Sequence, residues 1–196
     1  EDAAPVRKRP RPGERRQQIL QTLAAMLEQP GAERVTTASL AARIGVSEAA
    51  LYRHFASKAQ MFEGLIDFVD QSVIGLIRQV TDREPAGPNQ AARILALLIQ
   101  FAEKNPGMCR VMTGDALVLE HERLQERINL LFDKIEAQLR QSLREANAAS
   151  STPTVDTQVQ ASVLVAFMQG RLQRFVRSGF KRSPSEHLQA ALARML

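Results

Sequence analysis

Apolar residues recur along this chain at intervals of three and four, the spacing that lines one face of an α-helix. Ile19, Leu20, Leu23, Met26 and Leu27 define a first helix over 15–29, which Pro30-Gly31 ends. Thr36 or Thr37 can cap a second helix that reaches Ile44, because a hydroxyl accepts a bond from a free helix-start amide. Gly45 then permits the left-handed conformation of a tight helix stop. Ser47 caps a third helix, with Glu48 beside its positive end. Ala38, Leu40, Ala41, Ile44, Val46, Ala50, Leu51 and Phe55 are the apolar positions expected to lock the second and third helices together. A fourth helix starts near Ser57 and carries Met61, Phe62, Leu65, Ile66, Val69, Val73, Ile74 and Ile77 to about residue 81.

The linker EPAGPN, 84–89, precedes a fifth helix over 90–104 that is apolar on nearly every side, the pattern of a central, buried helix. Pro106-Gly107 interrupts it and a short helix follows to Thr113. A long helix is predicted from about Asp115 to Ala146, with Leu124, Ile128, Leu131, Ile135, Leu139 and Leu143 on one face. SSTPT, 150–154, reads as a loop. Thr154 or Asp156 caps a helix running to about Ser178, and a last helix occupies 185–196. No segment sustains period-two alternation, so the predicted fold class is all-α, without a sheet.

Composition narrows the function classes. With 44% hydrophobic residues the chain can bury a core, yet no apolar run reaches the ~18–20 residues of a membrane span. The N-terminal stretch lacks the apolar segment of a secretory signal, so a cytoplasmic protein is expected. A single cysteine, Cys109, excludes an intrachain disulfide and a multi-cysteine zinc site, and it reads as a small buried hydrophobe. His54, His121 and His187 have no second ligand at helical spacing, and there is no Gly-rich phosphate loop or nucleophile elbow. No metal, cofactor or enzymatic activity is expected.

Charge changes the picture more. Residues 1–60 carry 10 Lys/Arg against 6 Asp/Glu, while 61–196 carry 16 against 15. A basic first third beside a near-neutral remainder suggests one segment that meets a polyanion and another that does something else. Residues 1–13, EDAAPVRKRPRPG, read as a disordered basic arm able to follow phosphates or enter a minor groove. Residues 14–58 read as a helix-turn-helix domain and 59–196 as a helical domain for dimerisation and partner binding.

Helix-turn-helix geometry puts Ser47, Glu48, Ala49, Tyr52 and Arg53, then His54 and Lys58, on the solvent face of the third helix. Tyr52 can bond a phosphate or pack on a thymine methyl, and Arg53 can reach a guanine edge or the backbone. Glu48 can accept from a cytosine amino group or serve the helix cap. Thr36 and Thr37 offer hydroxyls and free amides to a phosphate, and Arg15, Arg16 and Arg43 add screened attraction. One such module covers one half-site, so a homodimer on palindromic double-stranded DNA is expected, with the long C-terminal helices as dimer elements.

TTASLAARIGVSEAALYRHFASK resembles the N-terminal domain of TetR-family regulators, in which a Tyr-x-His-Phe block closes the recognition helix. Here that block is Tyr52-Arg53-His54-Phe55. The segments FAEKNPGMCRVMTGDAL, ERLQERINLLFDKIEAQLRQSLRE and GRLQRFVRSGFK extend the likeness to the nucleoid-occlusion branch of that family, over about residues 14 to 183. The resemblance implies a TetR-like fold and a nucleoid-associated dimer, with more than one dimer per site allowed. It also implies a DNA-bound protein that antagonises the tubulin-like division protein FtsZ through its C-terminal tail. Its contact groove would lie between the fourth and fifth helices, at Phe68, Leu97, Lys104 and Asn105. Leu76 stands there in place of an expected basic residue and Gln100 in place of a small one. The other reading open is a ligand-responsive TetR-type repressor.

Overall fold

The computed structural model describes residues 12–29, 34–148 and 156–196, and these form helices and turns without a strand. Helix α1 (Pro12–Leu27), α2 (Thr37–Ile44) and α3 (Glu48–Tyr52) make up the N-terminal unit. Helix α4 (Lys58–Thr81) leads from it into α5 (Pro88–Lys104), α6 (Pro106–Met112), α7 (Glu122–Ala148), α8 (Thr157–Arg177) and α9 (Leu188–Met195).

Local chemistry accounts for most boundaries. Ser57 accepts a bond from the Gln60 amide at 3.2 Å and caps α4. Asp156 does the same for α8 through the Gln158 amide at 3.0 Å. Proline opens α5 and α6, where its missing N–H costs nothing. It also opens α1, so the helix starts inside the segment expected as an arm, whose residues 1–11 lie outside those described. The expected breaker Pro30-Gly31 and the loop 150–154 lie outside them as well.

Two expectations are corrected. Ala38 is exposed and does not join the packing of α2 on α3. The long helix starts at Glu122 rather than near Asp115. Gly114 turns left-handed (φ 76°), a single 3-10 turn covers Asp115–Leu117, and Leu119 is left-handed too (φ 66°). Two left-handed residues cannot lie in a right-handed helix. The loop they create projects Val118 and Leu119 outward and Glu120 inward.

Helix α5 is the centre of the molecule, packed on α4, α7 and α8, with Ile94, Leu95, Leu98 and Ile99 fully buried. Its one buried polar residue, Gln90, donates to the Glu84 carbonyl at 2.7 Å. The core is continuous from Ile19 and Leu23 of α1 through Phe55 and Phe62 to Leu172 and Leu192. Gly107 makes one join possible. A Cβ there would sit inside contact distance of the Ala24 carbonyl, so glycine lets α6 lie directly against α1.

Candidate nucleic-acid interface and partner groove

The helix-turn-helix is fastened by short-range bonds. Thr36 and Ser39 form a reciprocal capping box, each side chain accepting the other's amide at 3.0 Å. Gly45 (φ 78°) closes α2, its amide and that of Val46 donating to the Ala41 carbonyl. Ser47 caps α3 through the Ala50 amide at 3.3 Å. Leu40, Ala41, Leu51 and Phe55 point inward and are buried.

Ser47, Glu48, Ala49, Tyr52 and Arg53 are exposed together on α3 and its two caps. Ala49, Tyr52 and Arg53 share one side at i, i+3 and i+4. Tyr52 is 46% exposed, so about half of the residue faces solvent. Glu48 is turned back across the motif, accepting from the Thr37 hydroxyl at 2.6 Å. That bond ties the starts of α2 and α3 and occupies one oxygen of the Glu48 carboxylate. Arg16 donates to the His54 carbonyl at 2.7 Å and lies 4.0 Å over the Phe55 ring, so it fixes the end of the recognition element from behind. Arg15 is bonded to Gln18 at 2.7 Å, His54 is half-buried, and Arg43 is exposed.

Lys58 departs from expectation. Its ammonium meets Glu120 at 2.5 Å and lies 5.6 Å from the Phe62 ring, and its side chain is mostly buried. Glu120 also accepts from Arg34 at 3.0 Å, and Arg34 donates to the Leu119 carbonyl at 2.9 Å. The hydrogen bond that Arg34 donates to the Glu120 carboxylate raises the guanidinium above its ordinary value. Sequence reasoning missed Glu120 and Arg34. Lys58 did carry a signal, because a lysine at the first position of a helix faces the positive end of the dipole and needs a compensating anion.

A second feature lies beside this unit. Phe68 on α4 is 51% exposed, its ring 6.3 Å from that of Phe101 on α5. It lines an outward-facing groove of about 340 Å³ together with Gln17, Leu20, Ala24, Gly64, Asn105 and Met108. The groove's far wall is therefore α1 rather than α5. Of the four residues expected at a partner site, Phe68 and Asn105 share it. Leu97 is half-buried against the core and Lys104 is exposed, and neither lines it. Asn105 closes α5 by donating to the Phe101 carbonyl at 2.7 Å.

A capped helix-turn-helix mounted on an α-helical body defines a DNA-binding protein of TetR architecture. Residues 19–65 match the family described as bacterial regulatory proteins, tetR family, and residues 89–195 match the tetracyclin repressor-like, C-terminal domain of SlmA-like proteins. The chain belongs to the SlmA family of TetR-type proteins. It is 52% identical to the nucleoid occlusion factor SlmA of Idiomarina loihiensis over 177 residues, 90% of each chain. It is likewise 52% identical to that of Photobacterium profundum over 175 residues, covering 88% of this chain and 89% of the relative. Among solved structures, a TetR transcriptional regulator from Chloroflexus aurantiacus superposes with a TM-score of 0.75 at 22% identity, over 93% of this chain and 94% of that one. The TetR-family regulator PfmR of Thermus thermophilus gives 0.72 at 21%, over 91% and 96%. At such identities these two speak for the fold alone.

Proposed function

We propose that this chain is a nucleoid occlusion factor: a homodimer that binds palindromic DNA and, while bound, restrains assembly of FtsZ over the chromosome. The observation that carries the reading is the pairing of two surfaces on one helix. α4 begins at the foot of the helix-turn-helix and presents Phe68 to a groove about three turns further on. Ala49, Tyr52 and Arg53 read bases, and Thr36, Thr37, Ser47 and Arg15 meet phosphates. The groove around Phe68 and Asn105 takes an apolar peptide segment, with Leu97 and Lys104 flanking it as a supporting surface. The FtsZ tail is the segment proposed.

A small-molecule switch has weaker support. The polar cavity between α6, α7 and α8, lined by Thr113, Gln125, Asn129 and Gln173, holds about 120 Å³. That is below the roughly 300–1,000 Å³ of drug-sized ligand sites, and the Phe68 groove, which reaches that size, opens outward rather than enclosing a ligand.

Sedimentation of FtsZ polymers with the protein, with and without its DNA site, tests the proposal. DNA-enhanced loss of polymer, reduced by Phe68→Ala, is expected. Polymer mass that is indifferent to DNA would reject the reading.

A further inference from the structure

We propose that Glu120 is the positioning residue that sets the angle of the helix-turn-helix on the body of the protein, and so the operator spacing a dimer accepts. The inference rests on the palindrome-binding reading above. Glu120 belongs to the loop between the 3-10 turn and α7, and its side chain is 6% exposed. It grips the motif at both ends. Arg34, two residues before the Thr36 cap, leads into α2, and Lys58 opens α4 just after α3. A single carboxylate from the C-terminal body thus holds the chain where it goes into the helix-turn-helix and where it leaves.

The loop is shaped for this contact. Left-handed Leu119 turns the backbone so that its carbonyl meets Arg34 while the next side chain enters the seam. Left-handed backbone on a branched residue is held only by its surroundings. Here it accompanies two apolar side chains left in solvent, Val118 and Leu119. The motif has a core of its own in Ile19, Leu40, Leu51 and Phe55, all buried. Loosening Glu120 should therefore free the orientation of a folded unit. Two recognition helices reach successive major grooves only when their separation matches the DNA repeat of about 34–36 Å, so orientation is read out as spacing preference.

The test uses full-length protein and duplexes carrying its selected palindrome, the same palindrome with the centre longer or shorter by one base pair, and a lone half-site. Wild type should prefer the selected spacing by about tenfold or more, as a mismatched site would cost. Glu120→Gln and Lys58→Met should each reduce that preference to about threefold or less, with half-site affinity and the salt dependence of binding kept. Retention of wild-type spacing preference in both variants would overturn the proposal. So would a salt slope lowered by about one in Lys58→Met, which would mark the ammonium as a phosphate contact. A wild type indifferent to spacing would instead overturn the palindrome reading, and this inference with it.

Discussion

At the scale of single residues, Tyr52 and Cys109 sit at opposite extremes. Tyr52 is half in solvent on the recognition helix and makes little of the core, so its loss should be felt by DNA and not by the fold. Tyr52→Ala is expected to weaken specific binding by about 1–3 kcal/mol. The thermal midpoint should stay within roughly 2 °C, the range of neutral surface changes. Anisotropy titration beside a thermal melt checks both, and a large drop in midpoint with unchanged affinity would contradict the assignment. Cys109 is fully buried, and burial pushes its thiol from 9.0 to about 12. A raised folded-state value means that the unfolded chain loses its proton first. The contribution is therefore complete below 9.0 and is lost as pH climbs toward about 12. Urea melts near pH 8 and near pH 10.5 should show wild type losing about 2 kcal/mol more than Cys109→Ala over that interval. Parallel losses would show that the thiol titrates normally.

At the scale of elements, the boundaries legible in the sequence are those made by short-range chemistry. The Thr36, Ser47, Ser57 and Asp156 caps and the Gly45 stop all act within one turn, so spacing alone exposes them. What stayed hidden depends on partners far apart in the chain. Lys58 and Glu120 are separated by 62 residues, and the loop that delivers Glu120 replaces the first turns expected of α7. The groove proposed for the partner shows the same division. Phe68 and Asn105 are in it, but its α1 wall depends on how α1 packs on α4. Thr36 allows the cap and the DNA contact to be separated. Thr36→Ala should cost about 1 kcal/mol of stability by opening the capping box. Thr36→Asp keeps an acceptor at the cap but sets a negative charge where a phosphate is expected. Aspartate should then preserve the melting midpoint and weaken DNA binding more than alanine does. If both variants bind DNA as wild type does, Thr36 is a cap and nothing more.

At the scale of the whole molecule, the question is what covers the outer side of the α7–α8 pair. Val159, Val163, Ala166 and Gly170 lie exposed along α8 at i, i+4, i+7 and i+11, and Leu130 of α7 is 58% exposed. An apolar line narrowing to alanine and glycine lets a second pair of helices approach closely, and a two-fold interface needs such a self-complementary patch. The opposite side of both helices is already filled by Leu131, Ile135, Leu164 and Met168, so a bulky charge on the outer line should leave the protomer folded. Ala166→Arg is therefore expected to sediment at the 21.8 kDa of one chain, where wild type sediments at twice that. Its affinity for a palindrome should fall to that for a half-site, because the second helix-turn-helix is no longer tethered to the first. FtsZ polymers should then escape restraint at DNA sites even though the Phe68 groove is intact. A variant that still sediments as a dimer would place the two-fold contact elsewhere. One that is monomeric yet binds palindromes as wild type does would break the link between dimerisation and operator choice.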